Sequence, residues 1–288
     1  MGHHHHHHHY AHYTHHYRPG DGTGGMGLLG LLIDAFERPA ASVYDGFPGG
    51  VSADKAAADF RLAAERKALA ARLEALRGVH REAIRSIPWH AHASAPDPGG
   101  DEHAEWEEVQ VLATRVLAGD LLAYREALAA CESLVAVRSH VGSDGVQVAL
   151  SETHAHVDLR APLGQAVPTA DGTLVRTMRD RLDLYQDYVC GIALRAAREL
   201  LAALPLDEVT VDLWNVTAAE DASETTGYRD GETPATNVRI ASMRCVRAAM
   251  DAIAWPTADA SEVVSVLAHE MSFRPDEGFY AVPHVTRE

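Results

Sequence analysis

Between residues 152 and 158 the chain reads Glu-Thr-His-Ala-His-Val-Asp. In an extended strand successive side chains point to opposite sides. Glu152, His154, His156 and Asp158 therefore share one face, and Thr153, Ala155, Val157 and Leu159 the other. Two imidazoles projecting together, with a carboxylate two positions on, are donor types that hold Zn²⁺. His154, His156 and Asp158 are accordingly the candidate metal ligands and zinc the candidate ion. A complete site needs one or two further donors. His269, Glu270 and His284, near the other end of the sequence, are the free candidates. The plainer account is the wet side of a half-buried strand, which alternates in the same way.

The remaining motifs argue mostly by exclusion. His269-Glu270 begins like a zincin helix, but the position where the second histidine belongs is Phe273, so that metal pair fails. His90 and His92 sit in a Pro-rich loop and are read as solvated. No phosphate-binding glycine loop, dinucleotide fingerprint or nucleophile elbow occurs. Arg195, Arg198 and Glu199 share a helix and suit either an anion clamp or ordinary i,i+4 pairing. Asp212, in Val-Asp-Leu-Trp-Asn, would serve a nuclease only with an acidic-x-Lys partner, and the chain has no lysine after Lys67. A hydrolase barrel needs about 250 residues and a jelly roll about eight strands; too little chain follows His156 for the first, and too few strands are readable for the second.

These residues must be positioned by secondary structure, whose periodicity is readable from Ser52 onward. Leu62, Leu69, Leu73, Leu76, Ala83 and Ile87 step at near-heptad spacing and predict one helix over 52–87, ended by Pro88. A Pro/Gly segment follows. Trp106, Val109, Ala113, Val116, Ala123, Ala127, Ala130 and Leu134 then predict a second helix over 102–140, weakened at Gly119 and Asp120. Residues 52–87 hold eight basic and five acidic side chains, and 102–140 three and seven. Folded back antiparallel, Arg77, Arg81 and Arg85 would meet Glu102, Glu105 and Glu108.

Past Val141 the period shortens. Strands are expected around Val146–Leu150, 153–159, Val209–Val216 and Asn237–Met243. A third helix is expected from about Leu174 to Leu204, with a short helix at 246–253 and another, or a helix turning into a strand, at 260–269. The third helix carries the stripe Leu182, Tyr185, Val189, Ile192, Ala193, Ala196 and Leu200 and should pack across the sheet. One-sided packing predicts Val209, Val211 and Leu213 buried, Thr210 and Asp212 wet, and Trp214, which breaks the alternation, covering an edge or the hairpin.

The runs LYQDYVCGIALRAARELLAALPLDEVTVDL and LAHEMSFRPDEGFYAV resemble the final region of a family of uncharacterised bacterial proteins. The resemblance spans roughly 180–215 and 265–282, about a fifth of the chain, and rests on structural motifs. It implies a bacterial protein in which a helical middle section precedes a Tyr-x-x-Tyr helix, a Leu-Pro stop and a Val-rich strand. The small β-rich domain that begins many members has no counterpart here, and the resemblance implies no catalytic residue.

Residues 1–25 form a His-rich leader: seven consecutive histidines in the pattern of a purification tag, continued by His12, His15 and His16 among tyrosines in the manner of a native tail. Either would retain Ni²⁺ or Zn²⁺, and removing the residues before Met26 is expected to abolish strong binding, because His154 and His156 alone make a two-histidine site. With 25 basic against 41 acidic side chains the net charge is −16, which repels phosphate backbones and argues against nucleic-acid binding. Three scattered cysteines suggest reduced thiols and a cytoplasmic location, and no apolar run reaches the ~18 residues of a membrane span.

The sequence therefore predicts an α+β protein: leader 1–25, a short helix and linker over 26–51, a long coiled-coil-like helical hairpin over 52–140, and a small sheet-and-helix domain over 141–288. The expected function is that of a protein-binding or scaffold module, engaging a protein partner or a second copy through the hairpin, with enzymatic activity left open. The alternative is a metal-dependent hydrolase or nuclease using His154, His156 and Asp158.

Overall fold

The computed structural model describes residues 50–170, 174–216 and 237–286. The leader, the expected short helix and linker up to residue 49, and the polar insert at 218–236 lie outside the described residues. The rest is a mixed helix-and-sheet fold, as expected. Its helices are α1 (Gly50–Arg77), α2 (Trp89–Ser94), α3 (His103–Leu117), α4 (Leu121–Ala130), α5 (Val135–Val141), α6 (Met178–Ala203), α7 (Arg247–Asp251) and α8 (Ala260–Val266). The strands are β1 (Val146–Leu150), β2 (His154–Ala161), β3 (Glu208–Val216), β4 (Asn237–Val246), β5 (Ala268–Arg274) and β6 (Gly278–Tyr280).

The six strands lie in sequence order across the sheet. All neighbours are antiparallel except β2 and β3, which run parallel. Parallel neighbours need a crossover, and α6 supplies it. Thr177 caps this helix in a reciprocal box with Asp180. At its other end Leu204 is already extended, as the residue before Pro205 must be.

The stripe expected on α6 is buried in full: Leu182, Tyr185, Val189, Ile192, Ala193, Ala196 and Leu200 are at most 2% exposed. On one side it packs against β3 and β2, whose Ala155, Val157, Leu159, Val209, Val211 and Leu213 are inaccessible. On others it meets α1 and α8. A helix covered from several directions must be apolar nearly all round, and Leu184, Tyr188, Cys190 and Leu194 extend the buried surface beyond one stripe.

The long hairpin is where the structure departs from the periodicity. The first helix ends at Arg77, not at Ile87. Gly78 opens a turn, and His80 drops its side chain into the interior beside Gly191, where an added Cβ would stand 3.4 Å from its Nδ1. His80 Nε2 bonds the Ala258 carbonyl at 2.6 Å. Buried polar anchors have replaced the heptad seam over this stretch. Arg195 Nη1 donates to Glu82 at 2.8 Å, and Arg198 Nη1 to the carbonyls of His80 and Glu82 at 2.5 and 2.8 Å. These arginines fasten the turn after α1 to α6, which is structural work, not an anion clamp.

The expected second helix is three helices. Gly119, at φ +79°, stops α3, and Asp120 caps α4 by accepting from the Leu122 and Ala123 amides. Glu132 and Leu134, both at positive φ, interrupt the chain again before α5. Gly119 and Asp120, read in sequence as weak points of one helix, are a stop and a start. Arg77 reaches Asp187 on α6, and Arg81 donates to Ala258, in place of the acidic partners expected across a hairpin. The segment from 50 to 141 is thus one long helix docked on α6 by its last turns, followed by a run of shorter ones.

Candidate metal centre

The side of the sheet opposite α6 carries the polar residues. Strand register arranges them in rows running across the strands. His156 stands opposite Thr210, and Thr210 opposite Arg244. Asp158 stands opposite Asp212, Asp212 opposite Ser242, and Ser242 opposite Glu270. Arg160 stands opposite Trp214, and Trp214 opposite Arg239. The last row depends on a bulge: between Leu213 and Trp214 the register slips, so that Arg239 takes the place Ile240 would have held. Ile240 is fully buried.

His284 comes from the segment after β6, which folds back along this face. The Val282 amide bonds the Arg239 carbonyl at 2.9 Å, and the Val285 amide bonds Ser242 Oγ at the same distance. The segment covers the middle of the sheet. Thr210 and Asp212, expected to be wet, are 5% and 1% exposed, and Ser242 is inaccessible. The alternation was read correctly, but a strip of chain lies over it.

His156, Asp212 and His284 converge, each placing one donor atom within 4.8 Å of the others. His284 Nδ1 lies 3.0 and 2.9 Å from the two Asp212 oxygens. His156 Nε2 lies 3.8 Å from Asp212 Oδ2 and 3.3 Å from Asp158 Oδ1. Donors held ~2.1 Å from a tetrahedral metal are about 3.4 Å from one another, so these spacings need little adjustment to receive one ion. The two imidazoles also meet edge to face, with centroids 5.4 Å apart.

Outer contacts orient the donors. Thr210 Oγ1 and His156 Nδ1 are 2.8 Å apart, which directs Nε2 toward the carboxylates. Ser242 Oγ donates to Asp212 Oδ1 at 2.5 Å while accepting the Val285 amide. Trp214 Nε1 donates to Asp158 Oδ1 at 2.9 Å. Arg239 Nε is 3.1 Å from Asp212 Oδ2, an ion pair without hydrogen-bond alignment. Partners of this kind fix ring orientation at metal sites.

Of the residues singled out in the sequence, His156 enters the group and Asp158 borders it. His154 does not: its Nδ1 is tied to Ser151 Oγ at 2.6 Å, one row farther along. The donor residues that cluster are therefore His156, Asp212 and His284, a different group from the expected His154, His156 and Asp158. Among the distant donors, His284 arrives, Glu270 stays a strand away opposite Ser242, and His269 turns onto the Leu267 carbonyl at 2.8 Å. His92 lines a cavity of about 10 Å³ with Trp89, Val109, Leu112 and Cys131, room for roughly one water, and burial lowers its basicity. The three thiols are free, and burial pushes Cys131 and Cys245 up to about 12, which removes them as nucleophiles.

No family model matches the chain, and no curated protein or solved structure is detectably similar to it, so the meaning of the site rests on its chemistry.

Proposed function

We propose that His156, Asp212 and His284 bind one divalent metal ion, with Asp158 beside it but outside the ligand set, and that the chain is a metal-dependent hydrolase. The observation that carries this reading is the convergence of three donors from β2, β3 and the segment after β6, of which His156 and Asp212 are oriented by outer partners. Two imidazoles and a carboxylate suit Zn²⁺, and three protein ligands leave a position for water, as catalytic zinc sites require. The His284 side chain is 46% exposed, so that position is reachable from solvent. The metal would lower the pKa of its bound water and so generate a nucleophile near neutral pH.

Metal content of the full chain and of a form beginning at Met26 tests this reading. About one equivalent of Zn²⁺ should survive removal of the leader, and His284→Ala should abolish it. Absence of zinc from the shortened wild-type protein, with its fold intact by circular dichroism, would refute the proposal.

A metal-free reading has one observation in its favour. Asp212 straddling His284 Nδ1 would orient the imidazole of an acid–base pair, with Nε2 as the base. Hydrolysis that persists in metal-stripped protein would select it. The scaffold reading draws less support. α1 buries Leu73 and Leu76 near its end, and its exposed Phe60 and Leu62 diverge by about 200° around the helix, so they form no continuous patch.

A further inference from the structure

Beside the proposed metal ligands lies a second group whose placement the metal does not explain. Trp214 has a guanidinium over its ring from each flanking strand: Arg160 Cζ at 4.5 Å from β2 and Arg239 Cζ at 4.4 Å from β4. The indole is itself fixed by its bond to Asp158. A guanidinium stacked on an aromatic ring keeps its N–H donors in the plane, directed away from the ring, and loses little freedom on binding an oxyanion. The bulge that brings Arg239 into this row, in place of Ile240, adds a backbone irregularity to the same construction.

We infer that Arg160 and Arg239, held apart by Trp214, bind the phosphoryl group of a phosphate-ester substrate next to the metal; this rests on the metal-centre reading above. The charges support it. Arg160 and Arg239 are balanced by Asp158 and Asp212 when the histidines are neutral. Adding a dication leaves this part of the face at +2, and Glu270, one strand beyond Ser242, reduces but does not cancel that excess. Glu208 is taken up by Arg244. A cationic centre inside a chain of net charge −16 needs an anionic ligand. Three positive centres from different directions suit a tetrahedral dianion better than a planar carboxylate, which one arginine can satisfy. In hydrolysis the water oxygen bonds to phosphorus, the ester P–O bond breaks, and the departing oxygen takes up the proton that water gives up. Nothing is oxidised or reduced.

The test titrates the zinc-loaded full chain with inorganic phosphate, and separately with acetate, by calorimetry and tryptophan fluorescence. It compares wild type with Arg160→Gln and Arg160→Lys. Arg160 is chosen because, unlike Arg239, it does not touch Asp212. Phosphate should bind wild type, and acetate at least about tenfold more weakly. Arg160→Gln should weaken phosphate about tenfold or more at unchanged zinc stoichiometry, and Arg160→Lys should recover part of the loss. Should Arg160→Gln lower the unfolding midpoint, Arg160→Lys decides: phosphate affinity equal to wild type overturns the inference, and a partial loss supports it. The inference also falls if Arg160→Gln binds phosphate as well as wild type, if wild type binds none, or if acetate competes equally. Failure to hold zinc would instead strike the metal reading, and phosphate binding by the metal-free protein, lost in Arg160→Gln, would still support the subsite.

Discussion

His284 Nδ1 straddles the Asp212 carboxylate, 3.0 Å from one oxygen and 2.9 Å from the other, across 72 residues of sequence. The same carboxylate accepts from Ser242 and pairs with Arg239. Asp212, itself on β3, therefore anchors two other elements, β4 at two positions and the segment after β6.

Asp212→Ala should consequently be costly, although its place on the polar face of a strand suggested otherwise. It would leave Ser242 and Arg239 facing a buried void, at about 1–3 kcal/mol for the lost bonds and more for the stranded charge. Urea unfolding checks this. A cost within about 0.5 kcal/mol, as at an ordinary surface site, would show that the carboxylate is not buried as described.

Thr210→Val should leave the fold close to wild type while loosening His156. The hydroxyl bonds His156 Nδ1, and loss of such a partner typically weakens metal affinity 10–100-fold. Zinc competition against a chromophoric chelator measures the change. An unaltered affinity would mean that Thr210 does not orient the ring.

Glu199 supplies a dependence on pH away from the site. Burial raises it from 4.5 to about 7 against the opposing pull of Arg195, and Oε2 finds no hydrogen-bond partner among the described residues. Asp187 is likewise raised to about 6, by burial first and then by Asp259 and Asp183. In both cases the folded state holds its proton more tightly than the unfolded state. The stabilisation is present at low pH and is lost as pH rises from the unfolded value through the folded one. For Glu199 that window runs from about 4.5 to about 7. Glu199→Gln should flatten it and gain up to ~3 kcal/mol above pH 7, with no gain near pH 4. Unfolding midpoints measured across this range decide the sign.

Ile192→Ala removes a side chain with no exposed surface at the contact between α6 and its neighbours. The expected cost is about 2–5 kcal/mol, set by how far the surroundings collapse. Chemical denaturation of this variant beside Asp212→Ala compares the apolar and polar sides of the sheet.

Much of the α+β domain was legible because its signals are local. Pro205 ends α6 by a steric rule and its stripe repeats at helical spacing, although the Thr177–Asp180 capping box starts the helix at Met178 and not near Leu174 as expected. The alternation from His154 to Ala161 gives the faces of β2 directly. The site was legible only in part. His156 stood out through its neighbour His154, yet His154 takes a different partner, and nothing within β2 distinguishes them. His284 could be named as a free donor, but its arrival depends on the amides of Val282 and Val285 finding partners on β4, a long-range pairing with no periodic signature. The hairpin was over-read for a related reason. Gly78 costs only ~1 kcal/mol inside a helix, so spacing alone does not stop there. What favours the break is the interior socket for His80, built by Gly191 and Ala258 far along the chain.

The slip in register at Leu213 and Trp214 bears on how this surface would vary among homologues. Because Ile240 is the extra residue of β4, deleting it would leave Arg239 opposite Trp214 in regular pairing, whereas an unbulged strand of the present length would put Ile240 there. A one-residue gap at Ile240 would then preserve the arginine pair, and an ungapped strand that lost the bulge would lose it. Two sequences of equal length agreeing at Arg160, Trp214 and Arg239 could still differ in whether the pair assembles, and the presence of the bulge between Arg239 and Ala241 would be the character to compare.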